Sequence, residues 1–226
     1  MSSRWIESLD SRLLFGGHQI EMTPALNVGA QPPDPRFPGH GIAPAQIRTA
    51  YGIDQLGPLN GQGQTIAIVD AYSNPVIEND LNVFDAQFGL PAAPSFHVVN
   101  QNGRRRLPAP DLRWAEEISL DVEWAHAIAP AAALVLVEAN SDALPDLMQA
   151  TRFAMHLKQT SVVSISWTGS EFEGESRYDG VFLTPPGHKG ITVIAAAGGR
   201  RRAVAAASGR DHGECDEQDR GTKDSH

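Results

Sequence analysis

Two acidic side chains, Glu117 and Asp121, stand four residues apart in W-A-E-E-I-S-L-D-V-E-W-A-H-A-I-A-P. On a helix that spacing puts both on one face, with Cβ atoms about 6 Å apart. Their line continues to Trp124 and Ile128 and runs beside Ile118, Val122, Ala125 and Ala129, so the face is partly screened from water. Two close, partly desolvated carboxylates do not both ionise cheaply; one apparent pKa rises and the pair titrates as a unit. Glu117 would then take the proton from a serine hydroxyl while Asp121 orients it, a device suited to mildly acidic solution. A plainer reading competes. Arg113 precedes Glu117 by four residues, and an exposed ion pair there contributes only about 0.3–0.5 kcal/mol. Spacing alone favours the ion pair, because E-x-x-x-D occurs on many soluble helices.

The elements around this helix determine which reading holds. Residues 64–71, Q-T-I-A-I-V-D-A, form an apolar β-branched run bounded by Gly and by S-N-P, the pattern of a strand buried on both faces. Asn74 is placed to cap a following helix with Pro75 in its first position, and Ile77, Leu81, Phe84 and Phe88 repeat at helical spacing before Gly89. The alternation continues with a helix over 111–129 stopped by Pro130 and a strand at 133–139. A helix over 143–157 and strands at 161–167 and 191–197 complete it. A short helix over 44–51 precedes them all. Strands alternating with amphipathic helices predict an α/β fold, a parallel sheet with helices on both faces.

Three stretches differ in character. Residues 1–43 join a short leader-like segment, R-W-I-E-S-L-D-S-R-L-L-F at 4–15, to a Pro- and Gly-rich linker containing Q-P-P-D-P-R-F-P-G-H-G. Residues 44–198 carry the regular periodicity. From 199 to 226 no period survives, which predicts a disordered or frame-disrupted tail.

Composition narrows the function classes. With 18 Lys plus Arg against 27 Asp plus Glu, the net charge of −9 argues against a nucleic-acid partner. No apolar run is long enough to span a bilayer, and a single cysteine, Cys215, excludes a disulfide framework or a cysteine-built metal site. His212 and Cys215, with Asp211 and Glu214, make too sparse a set for a closed metal site. Gly61 and Gly63 precede the first strand and so cannot form a phosphate-cradling turn after it. Asp70 and His126 could suggest a Ser-His-Asp hydrolase, but no G-x-S-x-G elbow accompanies them. Asp70 reads as a strand-end residue, His126 as a helix-surface residue and Arg104, Arg105 and Arg106 as a solvated loop.

Several motifs lie in a telling order. They are P-A-Q-I-R-T-A-Y-G-I, G-Q-G-Q-T-I-A-I-V-D-A-Y, E-I-S-L-D-V-E-W-A-H-A-I-A-P-A-A with A-L-V-L-V-E-A, S-V-V-S-I-S-W, and G-I-T-V-I-A-A-A-G. Together they span residues 44–198, and this stretch resembles the sedolisin family of serine-carboxyl peptidases. The resemblance assigns the catalytic Glu and Asp to Glu117 and Asp121, and implies a subtilisin-like fold hydrolysing peptide bonds at acidic pH through an acyl-enzyme on serine. It assigns substrate-holding backbone to Ser166 and Trp167, although Thr168 stands where the family has glycine. It also implies an extracellular or cell-surface setting and a peptide or protein substrate. Where the family has A-G-D, with its oxyanion-binding aspartate, this sequence reads Gly198-Gly199; the G-T-S serine motif and the calcium ligands beside it do not follow before His226. The expectation is an incomplete domain, inactive by itself and free of cofactor, its reading frame altered near Gly198. A noncatalytic binding module, or a fragment that pairs with a complementary chain, is the alternative.

Overall fold

The computed structural model describes residues 20–25 and 42–196. The leader at 4–15, most of the linker and the whole tail, with Gly198, Gly199, His212 and Cys215, lie outside the described residues.

Helix α1 (Pro44–Ala50) opens the second stretch, followed by strand β2 (Thr65–Ala71), helix α2 (Ile77–Phe88) and strand β3 (Phe96–Asn100). Helix α3 (Leu112–Ile128), strand β4 (Ala133–Ala139), helix α4 (Leu144–His156) and strand β5 (Val162–Ile165) come next. A two-residue strand β6 (Trp167–Thr168) and strand β7 (Thr192–Ala195) close the series, and strand β1 (Thr23–Pro24) lies before them all. Five strands form one sheet in the order β3-β4-β2-β5-β7, every pair parallel. The protein is an α/β fold with helices on both faces of a parallel sheet.

Strand alternation divides the core between the faces. Ile66, Ile68, Leu134 and Leu136 point toward α2 and α3, meeting Ile77, Leu81, Ile118 and Val122. Val69, Ala71, Val137 and Ala139 point the other way onto Leu147, Ala150, Ala154 and Met155 of α4. The small residues of α4 let that helix approach the sheet closely.

Helix α3 starts where Asp111 caps it, accepting hydrogen bonds from the backbone N–H groups of Arg113 (3.0 Å) and Trp114 (3.1 Å). Helix α2 starts later than the sequence predicts. Asn74 closes a turn ahead of it, its Oδ1 accepting from Val76 N at 3.0 Å. Its amide donates to Ser119 Oγ of α3 at 2.9 Å, so the side chain ties the loop after β2 to α3 rather than capping α2. Strand β3 has no counterpart in the sequence reading. It is a half-buried edge strand, and its short run is flanked by Pro91 and Pro94 and broken by His97.

The strand expected over 161–167 breaks at Ser166. Val162–Ile165 stays in the main sheet, while Trp167 and Thr168 turn out of it to pair antiparallel with β1. Among the described residues no helix is long and apolar enough to cross a membrane.

The turn into β2 depends on Gly61, at φ +90°, where an added Cβ would lie 2.9 Å from the Cβ atoms of both Ala129 and Ala132. Gly63 also has positive φ but faces open space. Gly61→Ala is therefore expected to cost about 2–3 kcal/mol and Gly63→Ala only about 1 kcal/mol. Urea unfolding checks this; equal midpoints for the two variants would contradict it.

Candidate active site

The register of the sheet gathers polar groups at the carboxyl ends of its strands. Asn100 pairs with Glu138, and Glu138 with Asp70. The last paired positions of β2 and β5 are Val69 and Ile165, so Ser166 follows on β5's side level with Asp70. Strand alternation turns this rung, Asn100, Glu138, Asp70 and Ser166, toward the face that carries α3. Helix α3 contributes Glu117 and Asp121 from above. In open α/β sheets, the carboxyl end of the strands is where ligands bind.

Glu117 is 1% exposed, which rules out the exposed ion pair with Arg113 that spacing alone favoured. Asp121 is partly buried, and Ser166 donates a hydrogen bond to its carboxylate. Burial lifts Asp121 to about 6, against the Ser166 bond, which pulls it down. Asp70 is fully buried, and neither carboxylate oxygen has a hydrogen-bond partner among the described residues. Burial first, and then the charges of Asp121, Glu117 and Glu138, hold its carboxyl well above the ordinary range. Glu138 is buried too, and accepts from Ser73 Oγ at 3.0 Å. Burial lifts it to about 7, opposed by the bonds from the Ser73 hydroxyl and the Asn74 backbone.

Four carboxyl groups thus share one buried region, and they cannot all be charged together at low cost. The arrangement stores protons and can pass or accept one at an oxygen of the cluster. The loop after β2 covers it. Tyr72 takes φ +58°, an unusual conformation for a residue with a side chain, and places Ser73 over Glu138. The Tyr72 hydroxyl donates to Asp142 at 3.2 Å, and its ring packs 6.5 Å from that of Trp114.

The sequence-assigned residues are therefore distributed as follows. Glu117, Asp121 and Ser166 come together. Trp167 lies beside them with its ring buried against α4 and its backbone in β6; its Nε1 has no partner among the described residues. Thr168 does not need a positive φ, since it takes extended backbone in β6. His126 is no surface residue. It is fully buried, its Nε2 donating to Pro91 O at 2.7 Å and lying 3.3 Å from Asp85 Oδ1 of α2. That contact fastens α3 to α2 and leaves His126 unconnected to Asp70. Ile118 and Val122 precede it at helical intervals on the same stripe, a signal that pointed inward.

Asp70 and Glu138 are the residues sequence reasoning did not place in the site. Both occupy the last-but-one position of an apolar strand, in I-V-D-A and L-V-E-A. An acid there, in phase with the inward Ile68 and Leu136, is the signal that could have found them. Among the described residues no group of three or more His, Cys, Asp or Glu side chains is arranged to hold a metal ion.

No family model and no curated protein matches the chain. Among solved structures it is similar to Pseudomonas sedolisin, a serine-carboxyl proteinase, in complex with two molecules of pseudo-iodotyrostatin. The identity is 20% and the TM-score 0.48, over 62% of this chain. The match covers 38% of the proteinase chain, so this chain spans well under half of that protein's length.

Proposed function

We propose that residues 44–196 hold the proton-accepting half of a sedolisin-type serine peptidase site, with a subtilisin-like arrangement around it. The burial of Glu117 and Asp121 against the polar rung of the sheet carries this reading. At pH 4–5 Asp121, displaced to about 6, is protonated, and the resemblance gives the role of proton acceptor to Glu117. Glu117 takes the proton of a serine Oγ–H as that oxygen attacks the peptide carbonyl, and returns it to the leaving amine. Water then hydrolyses the ester by the same proton route. Ser166 is not assigned that role: its carbonyl accepts from Ala25 N at 2.7 Å, and the resemblance places it in the substrate-holding backbone instead. The serine comes from outside residues 44–196.

A noncatalytic peptide-binding module is the second reading, favoured by a specific observation: β6 already pairs with an extended segment. Incubating the purified chain with a denatured protein at pH 3–5 separates the two. Turnover that falls about 10²- to 10⁴-fold in Glu117→Gln supports the peptidase. Turnover untouched by that substitution removes Glu117 from the role, and peptide binding without turnover supports the module.

A further inference from the structure

Strand β7 ends the sheet on the side away from β3, and among the described residues nothing pairs with its outer side. Its inner groups are spent on β5: Thr192 N donates to Ser161 O at 3.0 Å, and Ala196 N to Ile165 O at 3.0 Å. Backbone alternation then turns the N–H and C=O groups of Val193 and Ala195 outward. The opposite edge, β3, is flanked by Pro91 and Pro94 and interrupted by His97. Thr192–Ala195 carries no charge and no proline, and Ile194 is 56% exposed. An uncharged, β-branched edge of this kind draws another strand to itself.

The sequence that follows suits a return strand. Gly198-Gly199 fits a two-residue turn with positive φ at both positions. A turn there sets Arg200, Arg202 and Val204 opposite Ala197, Ala195 and Val193. In a two-residue hairpin these alternate pairs, counted from the turn, are the ones that exchange both N–H···O bonds. Val193 and Ala195 are the residues whose groups β5 leaves free, so turn and edge agree in phase. A glycine pair one residue earlier or later would put both in non-bonded positions. Side chains follow the same phase: Val193 packs onto the α4 face of the core, and Val204 falls beside it, since directly opposed residues share a face. Arg200, Arg201 and Arg202 then lie along the new outer edge, where cations discourage a further strand.

We propose that residues 200–204 return antiparallel along β7, turning at Gly198-Gly199, and close the sheet with an arginine-bearing edge. A segment joined by so short a link has an effective concentration on the order of millimolar, so it outcompetes a second copy of β7 at ordinary protein concentrations. The pairing involves none of Glu117, Asp121 and Ser166, so it holds whatever chemistry the acidic cluster performs.

Nuclear magnetic resonance on the isotope-labelled full chain tests this. Ile194 and Ala203 fall in a non-hydrogen-bonded pair, whose backbones approach most closely, so a strong nuclear Overhauser effect should join their Hα atoms. Amide exchange at Val193 and Ala195 should be at least about tenfold slower than in a full-length variant carrying both Gly198→Val and Gly199→Val, in which β-branched side chains block the turn. The Overhauser effect needs only the unmodified chain, so it decides the matter even where the variant does not fold. No effect between Ile194 and Ala203, or exchange at Val193 and Ala195 as fast as in the variant, overturns the proposal. Protection that grows with protein concentration, the mark of a second copy on the edge, overturns it as well.

Discussion

Thermal unfolding should give a higher Tm at pH 4.5 than at pH 7.5, and Asp70→Asn should flatten that difference. Asp70, Asp121 and Glu138 are all held above their ordinary values, the last two at about 6 and about 7. Glu123 joins them at about 7, raised by burial and then by Asp80 and Asp85. Asp85 is raised as well, by burial against the opposing pull of His126. Between about pH 4 and pH 7 the folded protein therefore binds more protons than the unfolded chain, whose carboxyls titrate near 4, and stability falls as pH rises. The contribution is fully present below about pH 4 and is lost as pH climbs through 6 to 7. A buried carboxyl held that high gives up on the order of 3 kcal/mol across the window, a Tm change of about 6–12 °C for a chain of this size. In Asp70→Asn the amide donates to neighbouring carboxylates in place of a repelled charge. The variant should gain about 1–3 kcal/mol at pH 7.5 and little at pH 4.5. Circular dichroism melts at the two pH values check both statements. A Tm that rises toward neutral pH, or an Asp70→Asn variant less stable at both, would contradict them.

Ile118→Ala should weaken the fold and the site together. Ile118 is fully buried between α3 and the sheet, one residue after Glu117. Removing its outer carbons leaves a cavity at the contact that holds α3 in place, at a cost of about 3–4 kcal/mol and a Tm lower by roughly 6–16 °C. Water admitted there should also relax the desolvation of Asp121, so its carboxyl should fall from about 6 toward the ordinary range. Carbon-detected NMR titration reads the second effect and thermal melting the first. An unchanged Asp121 in a destabilised variant would mean that the helix-to-sheet packing does not set the carboxyl's surroundings.

Much of the architecture is legible in the sequence because local pattern and tertiary role coincide. Helix α3 has an Asp111 cap, a Pro130 stop and a stripe of Ile118 and Val122, so Glu117 and Asp121 can be placed on it at sight. The β2 and β4 runs are continuous and apolar because α3 and α4 cover opposite faces of both strands. What local pattern lacks is register. Asp70 meets Glu138 because parallel strands distant in sequence align at those positions, and nothing within either strand dictates that alignment. The break at Ser166 is hidden for the same reason. S-I-S-W-T reads as one strand until β1 arrives from the far end of the chain to pair with its second half. Strand β3 is missed because an edge position exposes His97 and dilutes its apolar signal.

The β1–β6 pairing also imposes an order of events at birth. Thr23 and Thr168 are 145 residues apart, so the β6 partner of the early segment is made only when nearly all of the sheet has been synthesised. At about 5–20 residues per second, that wait is roughly 7–30 s. Closing so long a loop is entropically costly before other contacts have formed, which makes this ribbon a late step in folding. Each newly made molecule therefore holds Thr23 and Pro24 without their β6 partner for that interval, and any exposed strand edge within reach competes with β6 for them.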